Sequence, residues 1–272
     1  MSGADKTDTI LAVTSLVFPF GRPVAPRIPI ANGARQLFIL GAYPSAFHVS
    51  WRPPSTNGLS QIKAVAVDNE PEPFWTGADE ADRLAAWKSA VAFDHARFGE
   101  VGLPGPLNGS SGRWVEEQVL RPLDTSRADA WITDCLDVYC CSDDLRQRLT
   151  DTYNRVNGLP PWRLLEHPSE DEMVRQALAG HTERLRNELT TARPDRIVTL
   201  GNAALRVFAR LVGCNDENNV PRQLSPDLKV YGKPIAIRVD GRPVEWLPLA
   251  HPAAPKRYQE AHKVWLAAYR GA

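Results

Sequence analysis

The stretch Leu37-Phe38-Ile39-Leu40-Gly41-Ala42-Tyr43-Pro44-Ser45 decides how this chain is read. A short apolar run that stops at Gly, with Pro close behind, predicts a buried strand ending abruptly in a stiff loop. Open α/β sheets bind ligands at the carboxyl ends of their parallel strands, so such a loop is a candidate wall of a site. A second apolar run, Trp246 to Ala250, ends far along the chain in His251-Pro252-Ala253.

Working outward, the apolar runs Leu37–Leu40, Trp131–Thr133, Ile197–Leu200 and Val244–Ala250 are four central-strand candidates. They alternate with helix-like segments, which predicts an α/β fold of three layers, α/β/α, around a short, mainly parallel four-stranded sheet. Helical periodicity is clearest from Glu170 to Ala192, where Val174, Leu178, His181, Leu185 and Leu189 share a face. Ser169 and Glu172 form a capping box for that helix, and Pro194 ends it. A last helix follows Pro255, with Tyr258, Ala261, Trp265 and Tyr269 as a core-packing stripe. Segments 48–67 and 143–168 read as insertions: the first holds Trp51-Arg52-Pro53-Pro54 and the alternating run Ile62–Val67, the second Leu159-Pro160-Pro161. No repeat or low-complexity linker divides the chain, so residues 1–272 are expected to form one domain.

The 272 residues are 43% hydrophobic and 24% charged, ordinary values for a globular protein. Lys+Arg and Asp+Glu both number 32, which excludes a global basic field of the kind that coats nucleic acid. An enzyme touching a few phosphates through one face remains compatible. The run Ile10–Phe20 is broken by Thr14 and Ser15, stops at Pro19 and is too short to span a bilayer. Asp5 and Asp8 precede it, where a secretory signal is positively charged, so a cytoplasmic protein without membrane contact is expected. Cys135, Cys140, Cys141 and Cys214 include no Cys-x-x-Cys pair, and the expectation is reduced thiols with no metal and no cofactor.

The Gly-x-x-Pro loop at Gly41–Pro44 and the His-Pro loop at His251–Pro252 resemble the two active-site motifs of the uracil-DNA glycosylase superfamily. Three further islands resemble it in order. Pro73-Phe74-Trp75-Thr76-Gly77 is similar to the segment whose Phe stacks on the extruded base. Ile132-Thr133-Asp134 is similar to the strand end that presents an Asn to the base edge. Arg193 to Ala204 is similar to the third strand and its following helix. The resemblance covers residues 37 to about 265 and implies a DNA-binding enzyme that flips a nucleotide out of the duplex and hydrolyses its N-glycosidic bond. It implies that Gly41, Ala42, Pro44, Ser45 and Phe74 line the base, that His251 donates to a base oxygen, and that Pro252, Lys256 and Arg257 meet the DNA backbone. Some members hold an iron–sulfur cluster, but these Cys lack the spacing for one. Read from residues alone, His251 is equally a strand-end His bonded to backbone, and Lys256 and Arg257 are equally a solvated helix start.

Three departures shape the expected substrate. Tyr43 stands where relatives place an Asp or Asn to hold water, and a phenol of ordinary pKa about 10 is a poor base. Either Asp68, Glu70 or Glu72 supplies the water, or leaving-group stabilisation suffices, or the protein is not a hydrolase; each of these acids also reads as part of a solvated turn. Asp134 replaces an Asn: when ionised it only accepts, which suits the exocyclic amine of cytosine and opposes the uracil carbonyl. Ser45 replaces a Tyr that blocks the pyrimidine five-position. Together they predict a monofunctional DNA glycosylase, a monomer, that excises a five-substituted cytosine such as a hydroxymethyl or glucosyl-hydroxymethyl form, in repair or anti-phage defence. Tyr43, Asp134 and His251 are the expected catalytic residues. The alternatives are a uracil or deaminated-base glycosylase, a catalytically silent nucleic-acid-binding relative, and a hydrolase of free nucleosides.

Overall fold

A computed structural model describes residues 16–29, 33–54, 58–214, 226–227 and 229–270. In chain order these form β1 (Leu37–Gly41), β2 (Ala46–Arg52), β3 (Ile62–Asn69), α1 (Glu80–Ala90), α2 (His95–Phe98), β4 (Glu100–Gly102) and α3 (Ser110–Val115). A wide π turn over Glu116–Leu120 prolongs α3. There follow β5 (Ala130–Asp134), β6 (Cys140–Cys141), α4 (Asp143–Asp151), β7 (Leu165–Glu166), α5 (Glu170–Gly180), α6 (Thr182–Ala192), β8 (Arg196–Leu200), α7 (Asn202–Leu211), β9 (Ile235–Val239), β10 (Arg242–Leu249) and α8 (Lys256–Arg270).

The four apolar runs become four parallel strands in the order β5-β1-β8-β10. Every residue of β1 is buried, which explains why its sequence is continuously apolar rather than alternating. Its side chains divide between two cores. Phe38 and Leu40 pack with residues of α5, α6 and α7, among them Met173, Leu189 and Phe208. Leu37 and Ile39 pack with Val115, Val119, Leu247 and Trp265, so helices cover both faces. The sheet has five strands rather than the four expected, because β9 pairs antiparallel along β10. Asp240 and Gly241 join them with positive φ at both positions (49° and 78°), the backbone a tight hairpin turn requires.

Segment 48–67 supplies most of β2 and β3, which with β4 make an antiparallel sheet ordered β3-β2-β4. That sheet has its own core, in which Phe47, Val49, Trp51, Ile62 and Val65 meet Phe18, Phe20 and Trp87. Segment 143–168 adds to it through Leu145, Leu149 and Tyr153. The Tyr153 hydroxyl accepts from the Phe20 amide at 2.8 Å and donates to the Pro160 carbonyl at 2.9 Å. Of the Ile10–Phe20 run, residues 10–15 lie outside the described residues, as do Asp5 and Asp8. No described helix is long and apolar enough to cross a membrane.

The single helix expected from Glu170 to Ala192 is two helices. The break falls at His181 (φ −122°), directly after Gly180, although Ser169 does cap the first of them by accepting from the Glu172 amide. Both halves keep one apolar face on the same core, so the periodicity runs across the break unchanged.

Candidate active site

The chain leaves β1 for β5 on one side and later returns through β8 on the other, so the sheet order reverses between β1 and β8. A crevice opens at the carboxyl ends of the strands at such a reversal. Four strand ends stand in a row there: Asp134 on β5, Gly41 on β1, Gly201 after β8 and His251 after β10. Neighbouring strands are about 4.8 Å apart, so β1 and β10 are separated by about 10 Å, roughly the width of a pyrimidine with its contacts.

Gly41 is the floor of one half. A Cβ placed on it would lie 2.1 Å from Asp134 Oδ1 and 2.7 Å from two ring carbons of Phe74. The motif glycine is therefore required by close approach, and that approach brings Asp134 and the Phe74 ring together over one α-carbon. Phe74 has a left-handed backbone (φ 52°), uncommon for a bulky residue. It is clamped there: Arg127 donates to the Phe74 carbonyl at 2.5 Å and also binds Glu116 at 3.1 Å. Gly112 lets α3 press against the same turn, since a Cβ there would meet the carbonyl oxygens of Phe74 and Trp75 at 2.1 Å.

Asp134 is 4% exposed, and its Oδ1 has no hydrogen-bond partner. The strand end that carries it is fixed instead through its backbone. Arg184 donates to the carbonyls of Asp134 (2.8 Å) and Cys135 (3.0 Å), to Thr133 Oγ1 (3.1 Å) and to Glu188 (2.8 Å). Burial pushes the Asp134 carboxyl up to about 7; Arg184 opposes that rise and Glu188 adds to it.

Glu70 is the acid that sequence reasoning left unresolved among three. The β2–β3 ladder pairs Ala46 with Asn69, which sets Glu70 beside Ser45. Glu70 is 5% exposed. Burial, reinforced by the charge of Asp134, raises its carboxyl to about 8, against the pull of the Ser45 hydroxyl, Arg27 and Arg127. By contrast Asp68 pairs with Arg22 at 3.1 Å and Glu72 with Arg127 at 3.4 Å.

Tyr43 lies within electrostatic reach of Asp134, but its ring stacks edge-on to His167 at 5.2 Å. Burial, with the Cys140 thiol nearby, lifts its hydroxyl to about 12, so it is not a base. Ser45 is exposed, whereas Pro44 is buried and Ala42 half-buried.

His251 is half-buried and its Nδ1 accepts the Ala253 amide at 3.1 Å. Burial drops its pKa to about 4, so at neutral pH the ring is uncharged and Nε2 carries the proton. Gly201 makes room beside it, with φ +87° and only 3.2 Å from a would-be Cβ to the His251 Cβ. Behind the loop runs a buried relay. The Ala250 amide donates to the Tyr231 hydroxyl (2.9 Å), which meets His262 Nδ1 (2.8 Å), and His262 Nε2 meets the Gln118 carbonyl (3.2 Å). Burial keeps His262 neutral as well, its pKa lowered to about 4. Nothing in the sequence spacing marks Tyr231 or His262; only tertiary packing connects them. Pro252 is half-buried, and Lys256 and Arg257 are exposed at the start of α8. Lys256 lies 3.8 Å from Glu260, and the Arg257 guanidinium sits over the Tyr258 ring at 5.1 Å.

Gly41, Phe74, Asp134, Ser45 and Glu70 are thus one cluster, and His251 follows the end of β10, two strands from β1. A cavity lined by Leu189, Arg193 and Arg242 lies toward the opposite ends of the strands, and another, lined by Arg35, Glu72, Pro73, Arg127 and Ile132, runs along the β5 edge below the Phe74 turn. Among the described residues no group of three or more His, Cys, Asp or Glu is placed to hold a metal ion, and Cys135, Cys140 and Cys141 are buried thiols. No family model matches the chain, and no curated protein matches it.

Proposed function

We propose that this chain is a monofunctional DNA glycosylase that flips out and excises a five-substituted cytosine, leaving an abasic site. The observation that carries the reading is the buried, unpartnered Asp134 oxygen set against the Phe74 ring over Gly41. An unsatisfied buried carboxyl is costly unless something outside the chain completes it. Phe74 supplies the stacking face an extruded base needs, and Asp134 an edge that reads it.

The acidity of Asp134 fits cytosine chemistry. With a pKa near 7 it is part neutral at physiological pH. In that form its O–H meets the unprotonated N3 of cytosine while its other oxygen accepts from the exocyclic amine. Transfer of the proton to N3 lets the base depart neutral rather than as an anion. Across the crevice the neutral His251 offers Nε2–H to the pyrimidine carbonyl oxygen, where negative charge builds. Exposed Ser45 leaves the five-position unwalled, in keeping with a polar substituent such as a hydroxymethyl or glucosylated hydroxymethyl group. Lys256 and Arg257, exposed just past the His-Pro loop, are the phosphate contacts in this reading. Repair or defence against phage with modified DNA are the fitting settings.

The neutral carboxyl also favours a second substrate. Its donor and acceptor can pair with the N3–H and carbonyl of uracil, so a uracil or deaminated-base glycosylase is the nearest alternative. Duplex oligonucleotides carrying a panel of modified cytosines, cytosine and uracil, scored for alkali-labile abasic sites, test both. Cleavage at a five-substituted cytosine with none at cytosine is expected. Cleavage at uracil alone supports the second reading, and none at any base supports a silent binder.

A further inference from the structure

Hydrolysis needs a proton acceptor for water, and Tyr43 is not one. The β2–β3 ladder delivers a carboxyl to the same cluster: Glu70 lies beside Ser45, whose hydroxyl bonds to it, and within electrostatic reach of Asp134. The turn Pro71–Pro73 leads directly from Glu70 into the clamped Phe74, so acid and stacking ring share one rigid turn. The Glu70 side chain is 5% exposed, and its neighbour Ser45 is an exposed residue.

We propose that Glu70 is the general base of the hydrolytic step, an inference that rests on the glycosylase reading. The oxygen of a water molecule bonds to C1′ as the C1′–N1 bond breaks, and the electron pair of that bond passes to the base. The water's proton goes to the Glu70 carboxylate, and N3 of the base takes the proton of the Asp134 carboxylic acid. Exchange with solvent then removes the proton from Glu70 and returns one to Asp134. One water is consumed, and a free base and an abasic sugar are released.

The groups facing Glu70 are Asp134, Ser45, Arg27 and Arg127. The reactive form of the carboxyl pair carries one proton, on Asp134, and is the minor of the two singly protonated forms because Glu70 is the weaker acid; excision should still follow a bell with limbs near 7 and 8 that belong to the pair. Glu70→Gln should lower excision by roughly 10²–10⁴-fold and abolish the limb that rises with pH, with DNA affinity and melting curve retained. Azide, a nucleophile that needs no base, should restore part of the C1′–N1 cleavage in Glu70→Gln and leave a C1′-azido sugar detectable by mass. Glu70→Asp, should Glu70→Gln fold poorly, should be slower and keep the rising limb. Wild-type rate and pH profile in either variant, or a folded, inactive Glu70→Gln that azide leaves inactive, overturns the role of Glu70. A wild-type protein inert on every pyrimidine of the panel overturns the glycosylase reading beneath it.

Discussion

The hydroxyl of Tyr231 accepts the amide proton of Ala250 at 2.9 Å, one residue before His251. Because the same hydroxyl is bonded to His262, whose other nitrogen meets Gln118, the His-Pro loop is tied through α8 to the turn after α3. Tyr231→Phe should leave the Ala250 amide buried and unpaired, at a cost of about 1–3 kcal/mol in the melting equilibrium. If the relay positions His251, kcat should fall with little change in KM. A variant that loses stability but keeps kcat limits Tyr231 to a structural role.

Gly41 and Asp134 predict a coupling that is independent of function. Gly41→Ala puts a methyl group 2.1 Å from Oδ1 of Asp134 and should destabilise by about 1–3 kcal/mol. Removing the clash partner as well, in Gly41→Ala with Asp134→Ala, should recover part of that loss. A double-mutant cycle by chemical denaturation measures it, and simple additivity counts against the close packing.

Asp134→Asn should reduce excision of cytosine-type bases and raise uracil-type excision, a change of roughly 5- to 150-fold in their ratio. The amide keeps one donor and one acceptor but cannot pass a proton to N3. An unchanged ratio makes Asp134 an ordinary strand-end residue. Its stability should also depend on pH. Burial raises the folded pKa above the unfolded value, so between about 4 and about 7 the unfolded chain binds fewer protons and the wild type loses stability as pH rises. Asp134→Asn should therefore gain melting temperature relative to wild type as pH increases through that window, and a pH-independent difference contradicts the raised pKa.

His251 carries the opposite sign. Its folded pKa is lowered to about 4, so its contribution to stability is present above about 6.5 and is lost as pH falls toward 4. His251→Ala should flatten that acid loss while cutting excision by roughly 10²–10³-fold, the effect of one removed transition-state donor. Full turnover at saturating substrate returns His251 to a structural role.

Neutralising Lys256 and Arg257 together should weaken DNA binding uniformly across sequences and flatten its salt dependence. Fluorescence anisotropy over a salt series checks this. Wild-type affinity with wild-type slope leaves them as a solvated helix start, held to Glu260 and Tyr258.

The parallel strands were legible because full burial makes a strand continuously apolar, as Leu37–Gly41 is. β9 was not: on the sheet edge, Ile235–Val239 alternates half-buried with exposed residues, and its Asp240-Gly241 turn was the overlooked signal. The break at His181 was hidden by a continuous apolar face, although Gly180 marks it. In the site, the close approach at Gly41 follows from its motif, whereas the choice of Glu70 over Asp68 and Glu72 needed the β2–β3 register. Tyr231 and His262 are far from any motif and meet only through the packing of α8.

The antiparallel sheet gives the crevice a divided ownership. Asp134 and His251 hang from the central sheet, while Glu70 and the near side of Ser45 belong to a ladder with a separate apolar core. In the proposed reading, changes in β2, β3 or their joining segment can reshape the wall facing the five-position without disturbing the strands that carry Asp134 and His251. Asp134 and His251 stay fixed in one module while the other is free to drift, and Glu70 is the one proposed catalytic group that would move with it.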